Sequence, residues 1–168
     1  NQLQIPVMTT WNGADLVPAD SGVYAGRPNT WGERAANIAL QQSDLLVAFG
    51  SRLGRQQTGF AWEKFLPIGK IVQIDIDSSE LEKGQPEITL GICGDASAYL
   101  KEATERLATN PHDWSVWRGA VAKIRSTLMS WTENRPPSAP YVEPFQFLRS
   151  LSQSFRGDDL LVPCSSGG

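Results

Sequence analysis

Three loops with charged side chains, two of which also contain glycine, lie at the ends of apolar runs typical of β-strands. The first, residues 50–55, offers glycines for close approach of a ligand and two guanidinium groups suited to a phosphate or pyrophosphate. The second, residues 75–79, places a carboxylate where open α/β sheets hold ribose hydroxyls. The third, residues 93–95, has a glycine followed by a helix N-terminus. Together the three loops predict a nucleotide site.

Each loop alone also fits a structural role. Gly50 and Gly94 could form turns, Asp95 could cap a helix, and Arg52 could pair with an acid. The chain contains no Gly-x-Gly-x-x-Gly fingerprint, which argues against an ordinary NAD dehydrogenase. The nucleotide hypothesis therefore depends on the three loops lying together at one edge of a sheet.

Residues for other kinds of chemistry are scarce. The two cysteines, Cys93 and Cys164, are far apart and share no Cys-x-x-Cys spacing, and His112 is the single histidine. His112 follows a proline in a segment typical of a turn before a helix, and no partner that would orient it is evident. We therefore predict neither a metal site nor a catalytic residue in this chain.

Four apolar, β-branched runs predict strands over residues 5–10, 45–50, 70–77 and 88–93. Helical patterns separate some of these runs, which indicates an α/β fold with a parallel sheet. The Gly- and Pro-rich residues 12–31 are predicted to form a loop.

Helices are predicted around residues 35–40, from residue 96 to about Asn110, and over residues 113–132. The first presents small apolar residues that would let it lie close to a sheet. The third carries an apolar stripe that we assign to core packing, formed by Trp117, Val121, Ile124, Leu128 and Trp131.

Length and composition restrict the classes of function. The chain has 168 residues, a mass of 18.4 kDa and a net charge of −3, enough for one core plus an attached piece. No block of like charges predicts nucleic-acid binding, and no apolar run reaches the roughly 18 residues of a membrane span. We expect a soluble, cytoplasmic protein with no nucleic-acid or membrane partner.

A stiff Pro-rich linker over residues 134–140 is the clearest boundary in the chain. Beyond it the pattern predicts a helix over residues 143–155 and a strand over residues 158–163. A strand followed by a Gly/Ser turn normally leads into a covering helix, so the sequence is expected to be a piece of a longer protein.

An ordered series of motifs extends over roughly residues 5–100. It resembles the central domain of thiamine diphosphate-dependent enzymes of the acetolactate synthase type. The series consists of Pro-Val-Met-Thr-Thr from residue 6, Ala-Asn-Ile-Ala-Leu from 36, Ser-Asp-Leu-Leu-Val-Ala-Phe-Gly-Ser-Arg from 43, Ile-Asp-Ile-Asp from 74 and Gly-Asp from 94, with Gly26, Gly32, Thr58, Gly59 and Lys83 between them. No single motif is diagnostic, but their order is specific.

The resemblance implies a Rossmann-like parallel sheet, of the DHS-like NAD/FAD-binding kind, flanked by helices and lacking its first strand and helix. It assigns residues 1–110 to the truncated central domain, 111–140 to a helix and Pro-rich linker, and 141–168 to the start of the diphosphate-binding domain. The N-terminal and remaining C-terminal domains would be missing from this piece.

For the parent protein, the resemblance implies decarboxylation of a 2-keto acid with thiamine diphosphate and Mg²⁺, and transfer or release of the remaining unit. Those cofactors would bind outside these residues, so the piece itself is expected to be inactive. A homodimer or homotetramer is expected for the parent. FAD or ADP could occupy the central domain.

By motif position, the resemblance assigns the nucleotide site to Gly32, Gly50, Arg52, Asp75, Asp77, Gly94 and Asp95. Two departures bear on the ligand. Flavin-binding members usually have Asp-Asp-Arg where this chain has Gly54-Arg55-Gln56, and Gly-Lys-Gly where it has Asn12-Gly13-Ala14. An ADP-like ligand, or none, therefore remains open beside FAD.

Two other functions remain open at this stage. One is a free-standing nucleotide-binding or regulatory module with a sirtuin-like or electron-transfer-flavoprotein-like fold. The other is a structural spacer whose nucleotide site has lapsed. Binding of nucleotides to the chain distinguishes these two from each other.

Overall fold

Five short strands form two parallel sheets in the computed structural model, which describes residues 3–133, 140–160 and 162. β1 (Val7–Met8) pairs with β2 (Tyr24–Gly26). In the second sheet, β4 (Lys70–Asp75) lies between β3 (Leu45–Phe49) and β5 (Leu90–Cys93). The parallel pairing and the helices between strands confirm the α/β fold expected from the sequence.

One strand was not predicted. β2 lies inside the segment 12–31, which its glycines and prolines indicated to be a loop. The prediction was wrong here because β2 has only three residues, too few to show any periodicity. All three are buried and pair with β1, so tertiary packing overrides the local composition.

Within the described residues, six α-helices accompany the strands. They are α1 (Arg34–Gln41), α2 (Arg55–Thr58), α3 (Ser78–Glu82), α4 (Ala96–Thr109), α5 (Ser115–Glu133) and α6 (Pro144–Ser154). The periodic patterns predicted α1, α4, α5 and α6 close to their observed bounds. The short helices α2 and α3, at four and five residues, are below the length at which an apolar stripe can be recognised.

Two apolar clusters form the core. The larger one is made of Leu40, Ala48, Leu53, Phe65, Leu66 and Ile71. The second joins Ala25 of β2, Ala39 of α1 and Val121 of α5, and Trp117 packs against it. Met8 of β1 packs against both clusters. The buried Val121 confirms that the apolar stripe of α5 contributes to the core, as its spacing predicts.

Contacts between residues divide the chain into two units, residues 1–128 and 129–168. In the second unit the carboxylate of Glu143 caps α6 by accepting a hydrogen bond of 2.8 Å from the backbone N–H of Gln146. The linker over 134–139, residue 161 and residues 163–168 lie outside the described residues. The domain boundaries near residues 110 and 140 remain predictions.

The strand predicted over residues 158–163 is not formed at the described positions. Asp158 and Asp159 belong to a turn, closed by a hydrogen bond of 3.1 Å from the Asp159 N–H to the Arg156 carbonyl. Leu160 is 86% exposed, so its apolar side chain gains nothing from burial. A strand also needs a neighbour for its backbone hydrogen bonds, and no strand pairs with these described residues.

Candidate functional site

The carboxyl ends of β3, β4 and β5 lie side by side. The backbone N–H of Gly50 donates to the carbonyl of Ile74, and that of Gly94 donates to the carbonyl of Asp75, each at 2.9 Å. The structure thus brings Gly50, Asp75 and Gly94 to one edge of the sheet, as the loop sequences predict. In open α/β sheets this edge is where ligands bind.

The loop after β3 is held in a defined conformation. Gly50 and Leu53 have positive φ values of 56° and 47°. The Leu53 side chain is buried in the larger core cluster, which stabilises a backbone conformation that non-glycine residues rarely adopt. Gln73 of β4 donates to the carbonyl of Ser51 at 3.1 Å, and Lys83 donates to the carbonyl of Arg52. Neighbouring elements therefore fix the backbone that carries Arg52.

The side chains of Arg52, Glu80 and Lys83 form a closed ion-pair cluster. Arg52 donates from Nε and Nη2 to Oε1 of Glu80, at 2.7 and 2.6 Å. Lys83 donates to the other carboxylate oxygen at 2.9 Å. Hydrogen bonds from Lys83 and Arg52 lower the pKa of Glu80, and the bond to Glu80 raises the pKa of Arg52. Both oxygens of this nearly buried carboxylate are thus satisfied.

A pocket of about 400 Å³ opens beside this cluster, between α2 and α3. Its wall includes Arg52, Arg55, Thr58, Trp62, Glu80 and Lys83. Three of these side chains are cationic and one is anionic, so the lining is positive overall. The volume falls within the range of about 300–1,000 Å³ typical of small-molecule sites.

The three candidate carboxylates each hold local backbone. Asp75 accepts from the N–H of Asp77 at 3.0 Å, and Asp77 caps α3 by accepting from the N–H of Ser79 at 2.9 Å. Asp95 caps α4, accepting from the N–H groups of residues 97 and 98 at 2.7 and 3.2 Å. All of these bonds use Oδ1. No described residue bonds to Oδ2 of these side chains, so that oxygen can accept from a ligand hydroxyl.

Packing restricts two of the candidate glycines to different degrees. A Cβ on Gly94 would lie 2.8 Å from the ring of Tyr99, a 41% exposed side chain that can move aside. Gly32 lies between β2 and α1, away from the strand ends in sequence, and a Cβ there would lie 2.3 Å from the carbonyl oxygen of Arg27. The Gly32 loop reaches α2 through a hydrogen bond of 2.8 Å from Thr30 N–H to the Gln56 carbonyl. A ligand role for either glycine remains a prediction.

Glu80 in the pocket wall and Gln73, which holds the Arg52 loop, were not predicted from sequence. A signal for Glu80 was present, because Asp-Ser-Ser-Glu from residue 77 has the spacing of a capping box, and Lys83 follows at the i+3 position of an ion pair. Gln73 is a polar residue within an apolar strand and is fully buried. Trp62 begins a three-residue 3-10 helix, Trp62–Lys64, which is too short to give a periodic signal.

Neither a membrane span nor a metal cluster is found in the part of the chain that the structure describes. No helix in that part has the length and apolar character needed to cross a bilayer. Within the same residues, no three His, Cys, Asp or Glu side chains are grouped so that they could hold a metal ion.

Comparisons with known proteins point to one family. Residues 1–103 of the 168 match the model of the family described as thiamine pyrophosphate enzyme, central domain. The chain is 32% identical over 138 residues to the acetolactate synthase isozyme 2 large subunit of Escherichia coli, covering 82% of this chain and 24% of that protein.

Two further relatives come from distant organisms. The acetolactate synthase large subunit of Corynebacterium glutamicum is 37% identical over 135 residues, which cover 79% of this chain and 21% of that protein. The chloroplastic acetolactate synthase of Arabidopsis thaliana is 36% identical over 142 residues, with the same two coverages of 79% and 21%. The chain thus spans about a quarter of the length of these relatives, or less.

Proposed function

Because the chain belongs to the thiamine pyrophosphate enzyme family, whose central domain its residues 1–103 match, we propose that it supplies the non-catalytic central domain of an acetolactate synthase-like enzyme. That enzyme would decarboxylate a 2-keto acid, with thiamine diphosphate as the electron sink. The described residues offer no cluster for the Mg²⁺ that would accompany the diphosphate.

The role that we propose for this chain is to bind a nucleotide, FAD or ADP, at the carboxyl edge of β3, β4 and β5. The observation that supports it most directly is the alignment of Gly50, Asp75 and Gly94 at one edge beside a positively lined pocket. Asp75 is 7% exposed and has Oδ2 available, so it is the candidate to accept from a ribose hydroxyl.

The Gly54-Arg55 sequence favours ADP over FAD. Flavin-binding members usually have two acidic residues at these positions followed by an arginine, whereas this chain has no carboxylate there and carries its arginine at position 55, in the pocket wall. A more positive lining strengthens the attraction for a phosphate end without adding a surface for an isoalloxazine ring.

Calorimetric titration with ADP and with FAD tests the nucleotide role. We expect saturable binding of ADP, tighter than that of FAD. Asp75→Asn should weaken ADP binding by about ten- to a hundredfold, because a charged hydrogen bond contributes roughly 1.5–3 kcal/mol. Asp44→Asn is the matched control, because Asp44 directly precedes β3, at the opposite edge of the same sheet. Failure of both nucleotides to bind would leave the structural-spacer interpretation.

Release of carbon dioxide from pyruvate, with thiamine diphosphate and Mg²⁺ supplied, tests the non-catalytic role. The 168-residue chain should release none, whereas the enzyme to which it contributes should be active. Turnover by the chain alone would contradict the proposal. The alternative of a free-standing regulatory module gains no support from the acetolactate synthases that the chain resembles.

A further inference from the structure

We propose that the pocket between α2 and α3 binds the phosphate end of the nucleotide through Arg52 and Arg55, and that Glu80 is the positioning residue for Arg52. This inference rests on the proposed nucleotide function. The phosphates would lie in this pocket, and Glu80 would act on Arg52 without contacting the ligand.

The geometry of Arg52 leaves half of its guanidinium group available. Glu80 Oε1 occupies the edge formed by Nε and Nη2, while both N–H groups of Nη1 and one of Nη2 have no partner in the described structure. The Arg52 side chain is 81% exposed and lines the pocket. Two adjacent guanidinium nitrogens with open donors match the oxygens of a phosphate.

Arg55 provides an uncompensated charge. It is exposed, it lines the same pocket, and no carboxylate of the described residues pairs with it. Lys83, by contrast, is already bonded to Glu80 and to the backbone carbonyl of Arg52. Among the cationic side chains of the described pocket wall, Arg55 and the open half of Arg52 therefore keep the most donors for an anion.

Glu80 acts on Arg52 and not on the ligand. Both of its oxygens accept from protein donors, and the side chain is only 11% exposed. An arginine without this anchor would be free to rotate in solvent and would lose that freedom on binding the phosphate. Holding one edge of the guanidinium group in advance removes that entropic cost.

The substitution Glu80→Asp tests whether Glu80 acts by holding Arg52 in place or only by its negative charge. Glu80→Asp keeps the negative charge but withdraws the carboxylate by one methylene, so it should weaken ADP binding roughly two- to tenfold, the cost of ordering one flexible side chain. Glu102→Asp is the matched control, because Glu102 forms an exposed pair with Arg106 on α4 at 2.6 Å. That variant should bind ADP like the unmodified protein.

Three probes then assign the phosphate end: ADP, adenosine and inorganic pyrophosphate, measured calorimetrically on the same protein. Arg55→Gln should weaken ADP and pyrophosphate binding by about tenfold or more, in line with one lost charged contact, and should leave adenosine unchanged. Added salt should weaken ADP binding less in this variant than in the unmodified protein.

The outcomes separate this inference from the nucleotide function. If ADP binds and both Arg55→Gln and Glu80→Asp retain full affinity, the pocket assignment is overturned while the nucleotide function stands. If pyrophosphate binds in a way that depends on Arg55, but ADP binds no more tightly, the phosphate pocket stands and the nucleotide function fails. Absence of binding for both ligands overturns both proposals.

Discussion

The side chain of Gln73 is fully buried in β4, and its Nε2 donates a hydrogen bond of 3.1 Å to the carbonyl of Ser51, the residue before Arg52. The other end of the amide, Oε1, has no hydrogen-bond partner among the described residues. A buried polar atom without a partner is unfavourable. Gln73 therefore holds the Arg52 loop through one end of its amide, while the other end carries an unfavourable, unpaired oxygen.

Gln73→Glu should destabilise the protein by about 2 kcal/mol or more near pH 8, because it buries a carboxylate and removes the donor to Ser51. Burial raises the pKa of the introduced carboxyl above its unfolded value of about 4.3. The penalty is therefore present at high pH and disappears as the pH falls toward that unfolded value. Urea denaturation at several pH values measures it.

Gln56→Glu is the control for this substitution, because Gln56 is exposed on α2. It should change stability little at any pH. Equal stability of the Gln73→Glu and Gln56→Glu variants at pH 8 would contradict the role given to Gln73.

Glu80 should make stability depend on pH in the acidic range. Lys83 and Arg52 lower its pKa in the folded state, so the carboxylate stabilises the protein above the unfolded pKa of about 4.3. This contribution is lost as the pH falls through the lowered pKa. The stability difference between the unmodified protein and Glu80→Gln should therefore be largest near neutral pH and small at acidic pH.

Urea denaturation of both proteins from neutral to acidic pH measures this difference. Glu102→Gln, which removes the exposed pair with Arg106, should show little difference at any pH. A Glu80→Gln difference that stays constant across the range would mean that the ionised form of Glu80 is not the stabilising species.

Gly32 should be needed for folding. A Cβ at this position would lie 2.3 Å from the carbonyl oxygen of Arg27 and 2.7 Å from the backbone nitrogen of Asn29, and backbone atoms cannot move aside cheaply. Gly32→Ala should therefore destabilise by about 2 kcal/mol or more. Gly119→Ala should instead stabilise by about 0.5–1 kcal/mol, because Gly119 lies within α5 with open space around it.

Thermal unfolding measures both changes: the melting temperature should fall in Gly32→Ala and rise in Gly119→Ala. A Gly32→Ala protein with unchanged stability but weakened ADP binding would support the ligand role that the motif resemblance assigns to Gly32. Loss of stability alone would assign the glycine to the turn.

The sequence was sufficient to predict the family, the α/β class and the sheet edge. The apolar runs of β3, β4 and β5 are long enough to be recognised, and their register then places the ends of all three at one edge. The family resemblance is confirmed by the match over residues 1–103. These features follow from local patterns and from a rule that applies to all parallel sheets.

The pocket could not be predicted in the same way, because it depends on contacts between distant residues. Arg52 and Glu80 are 28 positions apart and meet only when α3 folds against the loop after β3. Trp62 and Arg55 reach the same wall from short elements that have no periodic pattern. Gln73 is a polar residue in an apolar strand, and its role is evident only from its hydrogen bond to the carbonyl of Ser51, 22 positions away in the sequence.

Two substitutions of Asp95 show whether it only caps α4 or also binds a ligand. Its carboxylate accepts from the backbone N–H groups of Ser97 and Ala98, so Asp95→Ala should destabilise the protein by about 1 kcal/mol, whereas Asp95→Asn keeps the accepting Oδ1 and should lose little. Thermal unfolding measures both changes.

A carboxylate that also accepted a hydrogen bond from a nucleotide hydroxyl would show a second effect, because Asn has only one accepting oxygen. In that case Asp95→Asn would keep its stability and bind ADP several-fold more weakly. If Asp95→Asn retains both stability and affinity, Asp95 acts through the α4 cap alone.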